Sequence, residues 1–269
     1  MKSTLQDKLQ ASRFVITAEV TPPVSADRAE LLAKALPLKG VADAVNITDG
    51  AGARPHLGAV TSAALLVEAG IEPVLQLTCR DRNRIALQSD LLSAAACGVR
   101  NLLMLRGDDP SAGDQPDAKP VFDLDPRQLL ETARRLRDTG ELPSGRKITG
   151  SASFFLGSAD NPIDPKPGWV PTTLDAKLQA GAQFVQTQFC MDAGVARRYM
   201  ARLAEHGADI DSLTRADEVR RPVEDQREAH MLGGRNRLLR LMREMPELAG
   251  DLGVTAPGSA HTPTRRARS

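Results

Sequence analysis

Short apolar runs rich in β-branched residues recur along the chain: RFVITAEV (13–20), DAVNIT (43–48), EPVLQLTC (72–79), NLLMLRG (101–107), KITGSASFF (147–155) and QFVQTQF (183–189). Between them, apolar residues return at helical spacing in DRAELLAKAL (27–36), LGAVTSAALLVEAG (57–70), RIALQSDLLSAAACG (84–98) and PRQLLETARRLRDTG (126–140). The pattern predicts strands alternating with helices. The strand runs are nearly continuous in apolar character, so both of their faces should be covered, which predicts a parallel sheet. Gly70, Gly98, Gly140 and Gly181 each follow a helical stretch a few residues before the next strand, where a left-handed cap residue is needed.

The first four strand starts lie about 29 residues apart, and no G-x-G-x-x-G follows the first strand. A TIM (β/α)8-type barrel is therefore favoured over a dinucleotide-binding sheet. The expected domain is one barrel over residues 1–258, incomplete near its seventh unit: the stretch from 208 to 232 is charged and carries no strand-like run beyond a few residues. RLLRLMREMPELAG and DLGVTAPG then read as a final helix and strand. Residues 259–269 are polar, Pro-containing and basic, the composition of a disordered tail.

Composition narrows the partners. The chain has 35 basic and 34 acidic side chains among 269 residues, so no global field recruits nucleic acid or a membrane surface. Trp169 and Tyr199 are the sole residues of their kinds and offer no aromatic platform for bases. No apolar run reaches the roughly 18 residues of a membrane span, and the first residues lack the apolar segment of a signal peptide. Three cysteines without paired spacing, and four histidines scattered at 56, 206, 230 and 261, argue against a disulfide framework or a metal site. These features predict a cytoplasmic protein with a small-molecule partner and no metal.

Barrel enzymes place their chemistry at the carboxyl ends of the strands. The polar residues expected there are Glu19, Thr48, Asp49, Gln76, Thr78, the run Arg106 to Asp109, and Gln188. Glu19 interrupts an apolar strand, where desolvation should raise its pKa and suit it to general acid catalysis; an ion pair at the rim is the plainer reading. Asp108 and Asp109 stand beside Arg106, with Gly107 permitting close backbone approach, or else serve as a helix cap and a surface pair. Lys177 suits a phosphate partner or a solvated helix position. Gln188, if buried, must find a partner or a ligand.

The segments FVITAEVTPP, VNITDGAGA, LQLTCRDRNR, NLLMLRGD and AKLQAGAQFVQTQF follow one another in the order seen in the methylenetetrahydrofolate reductases, and residues 14–207 resemble that family. The resemblance implies a barrel that holds FAD at its mouth and passes hydride from NADH or NADPH through the flavin to 5,10-methylenetetrahydrofolate, giving the 5-methyl form used in one-carbon and methionine metabolism. It implies Glu19 as the general acid, Asp108 as a residue contacting the pterin and tuning the flavin, and Gln188 as a substrate ligand. Thr48, Gln76, Arg106, Gly107 and Lys177 match flavin-contacting positions, with Arg106 and Lys177 the phosphate partners, while Phe154–Phe155 stands where relatives carry an aromatic flavin segment.

Three departures accompany the match. Gln76 replaces a histidine common in relatives, Asp49 replaces an aromatic after the second-strand threonine, and about one barrel unit after Gly207 is lost or scrambled. Those departures keep two other readings in play: a folate-binding methyl-transfer or demethylation protein without flavin redox chemistry, and a non-catalytic barrel remnant. A homo-oligomer is compatible with either.

Overall fold

The computed structural model describes residues 3–190 and 192–207, and these form six strand–helix units preceded by a short helix. The strands β1 (Thr17–Val20), β2 (Ala44–Ile47), β3 (Pro73–Thr78), β4 (Asn101–Leu105), β5 (Phe155–Asp160) and β6 (Phe184–Thr187) pair in chain order in one sheet. Every pairing is parallel, as continuous apolar strands require. β2 and β3 are buried along their whole length.

The helices α1 (Thr4–Gln10), α2 (Arg28–Ala35), α3 (Ala59–Glu68), α4 (Arg84–Ala96), α5 (Pro126–Thr139), α6 (Thr172–Ala180) and α7 (Ala193–His206) complete the series. α5 has the strongest end signals: Asp125 and Gln128 form a reciprocal capping box, Pro126 opens the first turn, and Gly140 closes it in the left-handed region. Gly70, Gly98 and Gly181 also adopt positive φ, as their positions predict.

Alternation along each strand divides the core in two. Val45, Ile47, Leu75, Leu77, Leu102, Met104 and Leu156 pack outward with α2 to α5. Ala44, Val74, Leu103, Phe155 and Phe184 face the other way and meet Leu5 and Leu9 of α1, which closes the amino-terminal end of the sheet as a floor. The Phe155 and Phe184 rings stack there with centroids 4.9 Å apart. Gly157 makes room for them, because a Cβ on it would lie 2.2 Å from the Phe184 ring.

Glu72 fastens the floor. Its carboxylate accepts from the backbone N–H groups of Thr4 (2.8 Å) and Leu5 (3.0 Å), and from Asn101 Nδ2 (2.9 Å). The negative charge also complements the positive end of the α1 dipole. Glu72→Ala is expected to lower stability by about 2–3 kcal/mol in urea unfolding at neutral pH, the range for losing charge-assisted hydrogen bonds to partly buried donors. A loss below about 0.5 kcal/mol would show α1 to be held by its leucines alone.

The structure corrects the element boundaries in one important place. The segment 147–154 is not the fifth strand; it is loop, with Glu141 bridging Lys147 and Gly150 at φ +87°, and the strand starts only at Phe155 and runs to Asp160. Ile148, Ala152 and Phe154 pack on the outer core without extending a ladder, while the true strand contains Gly157 and Ser158 and so reads as a polar segment. Phe154 and Phe155 are core residues on opposite faces, not a flavin-contacting loop. α1 and α7 were not foreseen. The expected seventh-unit disruption over 208–232, the final helix and strand, and the tail 259–269 lie outside the described residues.

Candidate active site at the carboxyl ends of the strands

The inward face carries a polar layer above the apolar floor. In parallel register, Glu19 of β1 pairs with Asn46 of β2, and one strand further on lies β3 with Gln76. Gln76 Nε2 donates to Glu19 Oε2 across 3.4 Å. Gln76 and Asn46 are buried, at 7% and 2% exposure. Glu19 keeps access to solvent. The protein around it nonetheless desolvates its carboxyl and holds the pKa above the ordinary value, with the Gln76 hydrogen bond partly offsetting that rise. Among the described residues its partner is an amide, not a rim lysine or arginine.

Beyond β2 and β4 the exits are tied together by backbone and charge. Asp108 Oδ2 accepts from Gly52 N at 2.8 Å, linking the loop after β4 to the loop after β2. Arg80, 3% exposed, donates to the Asp108 carbonyl and to the Gly50 carbonyl, both at 3.2 Å, and pairs with Asp81. Gly107 has φ +93°, and a Cβ there would lie 2.9 Å from Arg80 Cβ, so glycine is required by conformation and by space. Asp109 caps the short turn Pro110–Ala112 by accepting from Ser111 N and Oγ, and those bonds lower its pKa. The capping alternative thus describes Asp109. Asp108 instead bridges two loops.

Asp49 is a structural tie. It accepts from Thr78 N (2.8 Å) and Thr78 Oγ1 (2.9 Å) and pairs with Arg82, which also reaches Asp90 at 2.7 Å. Arg106 is exposed and sits 4.2 Å from the Phe122 ring centroid, a cation–π contact that leaves the in-plane N–H edge of a guanidinium presentable to an anion. Thr48 is buried, and its Oγ1 has no hydrogen-bond partner.

Lys177 and Gln188 belong to a separate hollow. A cavity of about 420 Å³ opens between the exits of β5 and β6, walled by Asp160, Trp169, Lys177, Gln188 and Tyr199 among others. Lys177 Nζ donates to the Ala159 carbonyl at 2.6 Å and lies 3.6 Å from Asp160 Oδ1, so it fastens α6 to β5 and is not a solvated helix residue. Tyr199 also donates to Asp160, and burial together with that carboxylate raises its phenol pKa. Gln188 is exposed rather than buried, and its backbone N–H bonds the Asp160 carbonyl at 2.8 Å. It therefore meets a cavity, not a core, and the buried-amide argument does not apply.

The exits of β1 to β6 thus gather three groups: Glu19 with Gln76 and Asn46, Asp108 with Arg80 and the β2 loop, and Lys177 with Gln188 and Asp160. Glu19 and Asp108 are not among the walls of the cavity that holds Gln188. Asn46, Arg80, Asp160 and Tyr199 were missed in the sequence. The charged run CRDRNR directly after β3 was the available signal for Arg80. Among the described residues no group of His, Cys, Asp or Glu could hold a metal, and no helix is long and apolar enough to cross a membrane. Cys79 is buried, and burial first, then the nearby Asp125 charge, push its thiol up to about 11, too high for a nucleophile at neutral pH.

Among the described residues, the parallel strand–helix series, with polar side chains at the carboxyl ends of the strands, defines an α/β half-barrel of six strands; the eight-unit barrel expected from the sequence is seen only to that extent. Solved structures of similar chain path include a 2,3-dimethylmalate lyase of the PEP mutase/isocitrate lyase superfamily (11% identity, TM-score 0.48, covering 96% of this chain and 88% of that one). Another is a Mycobacterium tuberculosis tryptophan synthase (12% identity, TM-score 0.47, covering 76% and 77%). Likeness at that level carries no chemistry across. The sequence model of the methylenetetrahydrofolate reductase family matches residues 4–215, and the chain belongs to that family. A "probable methylenetetrahydrofolate reductase (NADPH)" of Caenorhabditis elegans is 30% identical over 146 residues, 54% of this chain and 20% of that protein's length. The match therefore spans a minor part of the relative.

Proposed function

We propose that this protein is a flavin-dependent reductase that converts 5,10-methylenetetrahydrofolate to 5-methyltetrahydrofolate with NADH or NADPH as donor. The observation that carries the proposal is Glu19: a carboxyl at the carboxyl end of β1 whose pKa the surrounding protein raises above the ordinary value, in a chain of this family.

One feature fits FAD: Thr48 Oγ1 is a buried polar atom without a partner at the β2 exit. Thr48 and Gly107 would hold the cofactor with Gln76 and Asp108, and the guanidinium of Arg106 would meet a phosphate. When bound, FAD supplies hydride transfer from reduced nicotinamide to the folate. Glu19 holds a proton on a carboxyl oxygen and gives it to the folate nitrogen that leaves as the five-membered ring opens. Gln76 orients that carboxyl. Asp108, fixed by Gly52, contacts the pterin, and Gln188 hydrogen-bonds the substrate from the β6 exit. Lys177 stands in a flavin-contacting position, but its ammonium is already engaged with Ala159 and Asp160, so Arg106 is the stronger phosphate partner.

The purified protein should be yellow, or become so with FAD, and its reduced flavin should be reoxidised when methylenetetrahydrofolate is added. Protein that takes up no flavin yet binds folate would overturn this reading in favour of methyl transfer without redox chemistry.

A further inference from the structure

Asn46 presents a problem that the proposed acid chemistry leaves open. Its side chain is 2% exposed, and Oδ1 has no hydrogen-bond partner. The amide orientation is set by Nδ2 donating to the Ala18 carbonyl at 3.4 Å, an oxygen that could not accept from Oδ1. A buried carbonyl oxygen without a donor costs about 1–3 kcal/mol. Asn46 is also the residue paired with Glu19 across the β1–β2 ladder, on strands about 4.8 Å apart.

We infer that Asn46 is a positioning residue whose Oδ1 accepts the acid proton of Glu19, while Gln76 donates to the other carboxyl oxygen. The inference rests on Glu19 being the acid of the proposed reaction. A carboxylic acid is both donor and acceptor, a carboxylate acceptor only. An orphan acceptor on one side therefore favours the protonated form, and an N–H on the other favours the ionised form. The two amides oppose each other and set where the acid titrates. The other positions on the same face of β2 and β3, Ala44, Thr48, Val74 and Thr78, carry no charge. Of the charged groups that flank β2, Asp49 is paired with Arg82 and Asp43 with Lys8.

The test is a titration of Glu19 in the full-length protein, using carboxyl-¹³C glutamate, with the signal assigned by its loss in Glu19→Gln. Asn46→Leu and Gln76→Leu place the same apolar side chain beside the carboxyl, so added desolvation is common to both and the difference reports hydrogen-bond direction. The pKa in Gln76→Leu should lie above that in Asn46→Leu by about one to two pH units. Coincident titrations, or the reverse order, would overturn the inference. If a leucine variant fails to fold, the pair Asn46→Ala and Gln76→Ala makes the same comparison. The measurement needs neither flavin nor folate. Failure of the reductase reading would appear separately, as absent flavin or absent turnover with the titrations still split.

Discussion

Glu19→Gln is expected to lower turnover of methylenetetrahydrofolate by about 10²–10⁴-fold, the usual contribution of a placed general acid, while leaving the flavin spectrum unchanged. Glutamine keeps the shape and can still meet Gln76 and Asn46, but it has no proton to give. Turnover within about threefold of the parent, with flavin bound, would remove Glu19 from the chemistry.

The same variant has a thermal signature whose sign follows from the raised pKa. Folding raises the Glu19 pKa, so the stability that the carboxyl contributes is fully present below its ordinary value of 4.5 and is lost as pH rises through the higher folded value. Glutamine mimics the neutral form at every pH. The variant should therefore melt higher than the parent at pH 8 and close to it at pH 4. A melting difference that stays constant between those conditions would show that the carboxyl is not desolvated in the fold.

Gly157→Ala should produce the largest loss of stability. The added Cβ would fall 2.2 Å from Phe184 Cζ and 2.4 Å from Cε2, inside a ring whose stack on Phe155 holds the floor together. β5 cannot retreat, because it is paired with β4 on one side and β6 on the other. The ring must move instead, forfeiting the stack and its packing on Leu5 and Leu9. Overpacking and the lost aromatic pair together should lower stability by about 2–4 kcal/mol in urea unfolding. Shortening the obstacle with Phe184→Leu in the same chain should recover part of that loss, since the two substitutions share one contact. A single-variant loss under about 0.5 kcal/mol would mean that the floor repacks freely.

Gly157 also explains why part of the fold was hidden in the sequence. The parallel series was legible because β2, β3 and β4 are covered on both faces and read as unbroken apolar runs, and because glycine marks the helix ends. β5 departs from that pattern because its inward position must be empty for a ring supplied by β6, a demand set by a residue 27 positions away in sequence. Local apolarity therefore pointed to 147–155, of which only Phe155 joins the sheet. α1 escaped notice for a similar reason: its two buried leucines join a cluster supplied by five strands, none of them near it in sequence.

The candidate site divides in the same manner. Glu19, Asp108 and Gln188 could be picked out as polar residues at strand exits. Their partners could not, because parallel pairing joins residues a full strand–helix unit apart, as with Glu19 and Asn46, or two units apart, as with Glu19 and Gln76. Gln188 shows the limit of inferring burial from composition: a short β6 ends at Thr187, so the next residue already lies outside the ladder.

The floor helix sets an order of events during synthesis. Leu5 and Leu9 leave the ribosome long before Phe155 and Phe184 exist, and Glu72 and Asn101 arrive in between to hold the helix end. Nascent α1 can therefore be held by Glu72 once β3 is made, but its leucines are not fully covered until β5 and β6 have been translated, which places the closing contacts among the most distant of the described residues and predicts slow, late consolidation of the sheet.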